Sequence, residues 1–111
     1  MGAESGYPAE RVPRKPWTFI THHAQVLLAV ARDPSVRVSE VAEATGITER
    51  YVYQLLSDLQ KAGYVRRRRN GRRNQYELKP ELALGDPVIE ERPLQQLLAL
   101  IGRTSRRSPT A

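Results

Sequence analysis

Apolar residues recur at helical spacing between Trp17 and Pro34, the first strongly periodic stretch of the chain. The repeating positions lie three and four residues apart, as on one face of a helix: Ile20, Ala24, Leu27, Leu28 and Ala31. Thr18 is a suitable N-cap, and Asp33-Pro34 is a suitable end because proline cannot continue a helix. The pattern therefore predicts a first helix between these two signals.

Two shorter helical patterns follow, joined by a glycine. Residues 36–38 (VRV) alternate in polarity and predict a short extended piece, after which Ser39 can cap a helix that Gly46 closes. The next helix spans residues 48–62, and Gly63 closes it in the same way. Two helices joined by so short a turn indicate a helix-turn-helix unit.

The helix predicted over residues 48–62 has two distinct faces, and Thr48 can cap its start. Its apolar residues gather on the side that must face the core: Val52, Leu55, Leu56 and Leu59. The opposite side is polar and carries Arg50, Gln54, Ser57 and Lys61. The flanks carry Tyr51, Tyr53 and Asp58. A polar outer face is ordinary for a surface helix, so this feature alone is weak evidence for a binding surface.

Six of the eight residues from Arg66 to Arg73 are arginines. Residues that favour strands bracket the run: Tyr64 and Val65 before it, Tyr76 and Leu78 after it. At its centre, Asn70-Gly71 is the strongest short signal for a two-residue type I′ turn. A disordered basic tail needs neither feature, so the pattern predicts a β-hairpin of residues 64–69 and 72–78 with arginines on its solvent face and tip.

After a linker, residues 89–102 (IEERPLQQLLALIG) predict a last helix with Pro93 in its first turn. Its apolar residues form one stripe: Leu94, Leu97, Leu98 and Ile101. Two interpretations stay open, because the stripe can pack on its own domain or against a second copy of the chain. The second is favoured, since the two earlier helices already offer apolar faces to a small core.

Charge and composition narrow the class of partner. The 111 residues carry a formal net charge of +6 with a pI near 10.2, which favours polyanionic partners, usually nucleic acid. No apolar run approaches the roughly 20 residues that span a bilayer, so no membrane partner is expected. Residues 1–16 predict a flexible arm, and residues 103–111 predict a disordered tail, because both are rich in polar, Gly or Pro residues.

The residues that carry catalysis or bind metals are scarce in this chain. There is no cysteine, so thiolate metal ligands are excluded. His22 and His23 are adjacent and point about 100° apart on a helix, and no carboxylate follows one turn later. With no phosphate-binding glycine loop and no plausible catalytic set, we expect no metal, no cofactor and no enzyme activity.

The order of helix, extended piece, helix-turn-helix and hairpin is that of a winged helix domain. Residues 17–80 resemble the winged helix-turn-helix transcriptional regulators of the MarR/ArsR type. Three pieces carry the resemblance: VSEVAEATGIT for the first helix and turn, ERYVYQLLSDLQKAGYV for the recognition helix, and RRRRNGRRNQYEL for the wing. The expected fold is thus mainly α with a small β-hairpin (α+β), in which residues 81–102 add a linker and a C-terminal dimerisation helix.

The resemblance implies a homodimer that binds a pseudo-palindromic site on double-stranded DNA in the cytoplasm, associated with the nucleoid. It places the recognition helix in the major groove and the wing on the backbone or in the minor groove. It also implies dimerisation through flanking helices, so Trp17 and Phe19 are expected to join the C-terminal stripe at the interface. Nothing in the sequence identifies a small-molecule effector.

Candidate DNA contacts follow from side-chain chemistry. Arg50 can form a bidentate pair with guanine, and Gln54, one turn later, can pair with adenine. Tyr51 and Tyr53 can contact a phosphate or a thymine methyl, although Tyr53 can instead pack on the wing or the first helix. The full candidate set comprises Thr48, Arg50, Tyr51, Tyr53, Gln54, Ser57, Lys61, Arg66, Arg67, Arg68, Arg69, Asn70, Arg72 and Arg73.

Three other interpretations remain open. The helix residues can be ordinary solvated side chains, and some wing arginines can pair with Glu77 or Asp58. The protein can be a non-specific, chromatin-like DNA-binding protein in which only charge matters. It can also be a winged-helix module for protein interaction or RNA binding, although six arginines are unusual at a protein interface.

Overall fold

The computed structural model describes residues 15–102, apart from the side chains at positions 70 and 73. In that part of the chain, helices and one hairpin follow in the order α1 (His22–Arg32), α2 (Val38–Thr45), α3 (Glu49–Lys61), β1 (Val65–Asn70), β2 (Arg73–Leu78) and α4 (Leu94–Leu98). A 3-10 turn, Ala99–Ile101, extends α4. The predicted α+β architecture is therefore confirmed. The predicted tail and all but the last two residues of the predicted arm lie outside the described residues.

Helix α1 begins later than the sequence predicts. Its N-cap is Thr21, whose side-chain oxygen accepts a hydrogen bond from the Ala24 amide at 3.1 Å. The prediction of Thr18 as the cap is wrong, because its hydroxyl donates instead to the Ile20 carbonyl at 2.8 Å and turns the chain before the helix. The C-terminal end at Asp33 agrees with the prediction.

Helix α2 begins two residues earlier than predicted. Arg37 occupies the N-cap position, and its amide donates to the Glu40 carboxylate at 3.3 Å, so Ser39 lies inside the first turn. The extended piece is accordingly limited to Val36 and Arg37, and it forms no strand in the described part of the chain. Gly46 closes the helix with a φ of 78°, as predicted.

Local signals define both ends of α3. Thr48 caps its start by accepting a hydrogen bond from the Tyr51 amide at 3.1 Å, as predicted. At its end Gly63 has a φ of 91°, and the Tyr64 amide donates back to the Leu59 carbonyl at 3.0 Å. This is the Schellman arrangement, which satisfies carbonyls that would otherwise lack partners. The predicted helix-turn-helix unit is therefore confirmed.

The hairpin forms, but its turn lies one residue further along than predicted. Val65 pairs with Leu78 and Asn70 with Arg73, so the two loop residues are Gly71 and Arg72. The predicted Asn70-Gly71 type I′ turn is wrong. Gly71 has a φ of 70°, whereas Arg72 is not among the described residues with positive φ, and glycine first is the signature of a type II′ turn.

The apolar faces of α1, α2 and α3 meet in one core that also receives the base of the hairpin and α4. Leu94 is 0% exposed and Leu98 is 5% exposed, so both belong to the core of their own domain. Of the two interpretations that the sequence left open for these two leucines, packing on their own domain is the one that their burial in the single chain favours. The segment after β2 holds α4 down, because the Leu94 amide donates to the Leu82 carbonyl at 2.8 Å. Leu97 and Ile101 are half-buried against the same core.

Candidate nucleic-acid interface

The first two turns of α3 present a continuous polar surface. Val52, Leu55 and Leu56 are buried beneath it and fix the rotation of the helix. The side chains on the outer side are exposed: Arg50, Tyr51, Tyr53 and Gln54. Buried anchors at this spacing hold the helix rigidly, so these four side chains are presented as one face.

The remaining predicted positions on α3 differ in exposure. Lys61 is exposed in the last turn, whereas Ser57 is half-buried and offers less surface to a partner. Thr48 is exposed, and its oxygen is already the acceptor for the helix cap. Its hydroxyl hydrogen is therefore the part of that side chain suited to a phosphate.

The two tyrosines of α3 have different neighbours. Tyr51 lies edge-on to the His22 ring, with the ring centroids 6.0 Å apart, so α1 limits its movement. Tyr53 is 55% exposed and lies beside a groove between α3 and the wing. Of the two positions open for Tyr53, the structure places it on the wing side.

The arginines of β1 divide between the two faces of the hairpin, because side chains alternate along a strand. Arg67 and Arg69 share the face of the buried residues Val65 and Tyr76, while Arg66 and Arg68 share the opposite face. All four arginines are nonetheless exposed. The wing thus presents positive charge on both faces.

The two acidic residues that the sequence offered as partners for the wing arginines differ in what they bind. Arg68 forms an ion pair with Glu77 across the hairpin, as the sequence suggested for some wing arginines. Asp58 pairs instead with His23, whose Nε2 lies 2.8 Å from its carboxylate oxygen and links α1 to α3. Exposed pairs of this kind add little stability. The Arg68–Glu77 pair therefore matters mainly because it offsets one charge of the wing.

Tyr76 anchors the inner face of the hairpin. Burial raises the pKa of its hydroxyl, an effect that the nearby Arg67 guanidinium partly opposes. The group therefore stays protonated at neutral pH. The Tyr76 amide donates to the Pro34 carbonyl at 3.1 Å, which ties β2 to the loop between α1 and α2.

That connection brings a third region to the interface. The loop and the first turn of α2 contribute Ser35, Arg37 and Ser39 to the groove beside Tyr53. These residues are not among the contacts that the sequence predicts, since only the tertiary contact with β2 places them there. Their one visible signal in the sequence is that two serines flank an arginine where the helix-turn-helix begins.

Both histidines form contacts with other side chains of the protein. The His22 Nδ1 lies 3.0 Å from the Gln25 side-chain oxygen, and His23 belongs to the pair with Asp58. Within residues 15–102 no cluster of side chains is suited to hold a metal ion. No helix among these residues is long and apolar enough to cross a bilayer.

An exposed aromatic pair precedes α1. The Trp17 and Phe19 rings meet edge to face with their centroids 4.8 Å apart, and they are 53% and 81% exposed. The Lys15 ammonium lies over both rings, 5.5 Å and 5.8 Å from their centroids. Unlike Leu94 and Leu98, these two residues of the predicted dimer interface are open to a partner.

Comparison with known proteins covers the same region. The model of the MarR family matches residues 18–73, about half of the chain. The crystal structure of the PcaV transcriptional regulator from Streptomyces coelicolor, in complex with its natural ligand, is 18% identical; the match covers 95% of this chain and 77% of that chain, with a TM-score of 0.49. No curated protein matches the chain. The family match contains the helix-turn-helix and the arginine-rich first strand of the wing.

Proposed function

The chain belongs to the MarR family of winged-helix, DNA-binding transcriptional regulators, and from this premise we propose that it acts as a homodimer that reads a specific double-stranded DNA sequence. Members of the family are regulators and not enzymes. The proposed site of action is the cytoplasm, on the DNA of the nucleoid. The observation that carries the proposal is the exposed polar face of α3 beside a cationic wing.

Sequence reading is assigned to α3. Arg50 and Gln54 lie one turn apart on its exposed face, so both can reach base edges when the helix enters a major groove. Arg50 is suited to guanine and Gln54 to adenine, and each good bidentate pair is worth about 1–3 kcal/mol of discrimination. Tyr51 contributes a phosphate or thymine contact from the flank of the same face.

Affinity is assigned mainly to the wing. Its exposed arginines neutralise phosphates, a contact that strengthens binding to any sequence. Arg68 contributes less than its neighbours, because Glu77 already offsets its charge. Arg67 and Arg69, which share the hairpin face of the buried Val65 and Tyr76, are assigned to the backbone that flanks the major groove.

The proposed homodimer uses the exposed aromatic pair rather than the buried α4 leucines. Trp17 and Phe19 offer apolar area that a partner can cover. Burying aromatic rings of this size is a strong driving force for association. Two copies arranged in this way would present two α3 helices to one duplex.

Selection of binding sites from a random duplex library tests the proposal. The expected result is a two-fold symmetric motif whose half-sites lie about one helical turn apart. Its affinity should fall about 10³–10⁵-fold between 50 and 200 mM salt if six to ten phosphates are contacted. If no motif is enriched but DNA binding shows the same salt dependence, the protein is instead a non-specific DNA-coating protein. No binding to duplex DNA at low salt would direct attention to RNA or protein partners.

A further inference from the structure

A polar groove of about 440 Å³ separates α3 from the wing and is open to solvent. Three parts of the fold line it: the α1–α2 loop with the start of α2, the first two turns of α3, and the turn with strand β2. The lining residues that carry polar groups used below are Arg37, Ser39, Glu49, Tyr53, Arg72 and Asn74. The groove therefore lies within the surface that is proposed to face DNA.

Duplex geometry determines what passes through this groove, and the argument rests on the proposed function. With α3 in the major groove and the wing on the adjacent minor groove, one sugar-phosphate strand divides the two. That strand must cross the protein between α3 and the wing, which is where the groove lies. We propose that the groove is a binding site for this DNA backbone strand, with Arg37 as its principal phosphate contact.

The lining has the chemistry that phosphates require. Arg37 and Arg72 supply guanidinium groups, and neither forms an ion pair within the described residues. Ser39, Tyr53 and Asn74 add hydroxyl and amide donors of the kind that contact phosphate oxygens in protein–DNA complexes. Arg37 is exposed at the N-cap of α2, where its backbone is fixed by the bond to Glu40. It is thus presented from a rigid element.

One residue of the groove acts against the phosphate. Glu49, in the first turn of α3, lines the same space and brings a carboxylate close to the proposed strand. Two guanidinium groups against one carboxylate leave the groove with a net positive charge. The proposal therefore predicts opposite effects for Arg37 and Glu49, which a purely structural role for either residue does not.

The test measures DNA affinity by fluorescence anisotropy across a salt series, with the full chain, on a selected site and on scrambled DNA. Arg37→Gln should weaken binding to both DNAs equally, about eightfold per protomer and so about sixtyfold for the homodimer at 0.1 M salt, and should reduce the salt slope by about 1.8. Arg37→Lys should retain most of the slope, because it keeps the charge. Glu49→Gln should tighten binding to both DNAs.

Arg92→Gln is the matched control. Arg92 is exposed on the segment before α4. The Tyr64 hydroxyl donates to the Ala83 carbonyl and so ties this segment to the base of the hairpin, away from the hairpin turn. Its loss should leave the salt slope unchanged. Ethylation interference should also identify a phosphate, on the strand between the major and minor grooves, whose ethylation blocks binding of the wild-type protein. Ethylation of the same phosphate should not affect binding of Arg37→Gln. Equal circular dichroism melting curves establish that the variants are folded.

Two results would overturn the assignment while leaving the proposed function in place. The first is an Arg37→Gln variant with the DNA affinity and the salt slope of the wild type, measured where Arg67→Gln lowers both quantities. The second is a loss confined to the selected site, which would make Arg37 a reader of bases. By contrast, a wild-type protein that binds neither DNA would remove the proposed function itself, and the groove assignment with it.

Discussion

Replacing Leu94 by alanine tests whether α4 belongs to the core of its own domain. Leu94 is 0% exposed, and its amide is bonded to the Leu82 carbonyl, so the backbone cannot easily move to close the resulting cavity. Substitutions of this kind cost about 2–5 kcal/mol, and we expect about 3 kcal/mol here. In a domain of this size each kcal/mol lowers Tm by about 4–8 °C, so Tm should fall by about 12–24 °C.

The matched control is Leu100→Ala, six positions further along. Leu100 is 67% exposed, so its truncation should change stability by less than about 0.5 kcal/mol. Urea and thermal unfolding, followed by circular dichroism at two protein concentrations tenfold apart, separate the two. The reasoning is refuted if Leu94→Ala is no more destabilising than the control. It is equally refuted if the deficit disappears at the higher concentration, since that behaviour belongs to an interface.

Three further outcomes are expected. Arg50→Ala should cost about 1–3 kcal/mol on a selected DNA site and little on scrambled DNA in anisotropy titrations; equal losses on both would exclude a role in reading bases. Trp17→Asp combined with Phe19→Asp should give monomers in analytical ultracentrifugation, whereas an unchanged dimer would place the interface elsewhere. Gly71→Ala should lower the free energy of unfolding by about 1–2 kcal/mol in urea titrations, because alanine is strained at a φ of 70°. No clash with the rest of the protein adds to this cost, since no atom lies within 4 Å of the added Cβ. An unchanged midpoint would mean that the turn adopts another conformation.

The helix-turn-helix unit could be predicted because its signals are local. Thr48 caps α3 by accepting a hydrogen bond from the Tyr51 amide, three residues further along, and Gly46 and Gly63 adopt the positive φ that ends each helix. Such interactions depend on residues within one turn of one another and hardly on the rest of the fold. The helix start at Thr21 was missed, since Thr18 is an equally good cap by residue type, and only the turn before α1 distinguishes them.

The hairpin register shows what alternation cannot decide. The predicted and observed turns differ by one residue, which shifts the pairing by two and leaves every side chain on the same face. Val65 is buried in the observed register and keeps the same face in the predicted one, so the hydrophobic pattern permits both. The base of the hairpin distinguishes them, because the Lys79 amide bonds to the Tyr64 carbonyl at 3.1 Å and continues the observed pairing.

Contacts between distant segments account for the other differences. The stripe on α4 correctly predicted a buried face, but the sequence carries no mark that tells a domain core from a dimer interface. Arg37 was missed for a related reason, since it joins the groove only because β2 bonds to the loop that precedes α2. In both cases the residue type was visible and its neighbours were not.

Under the proposed function, the most conspicuous feature of the sequence is not the one that selects the DNA. Phosphate contacts from the wing and from Arg37 strengthen binding to every sequence alike, so they raise affinity without changing the ratio between specific and non-specific sites. Carboxylates beside these cations, Glu77 on the wing and Glu49 in the groove, lower both affinities together. Only contacts that differ between bases change the ratio, and on α3 those fall to Arg50 and Gln54. Selectivity should therefore respond to these two positions, while salt dependence responds to the arginines.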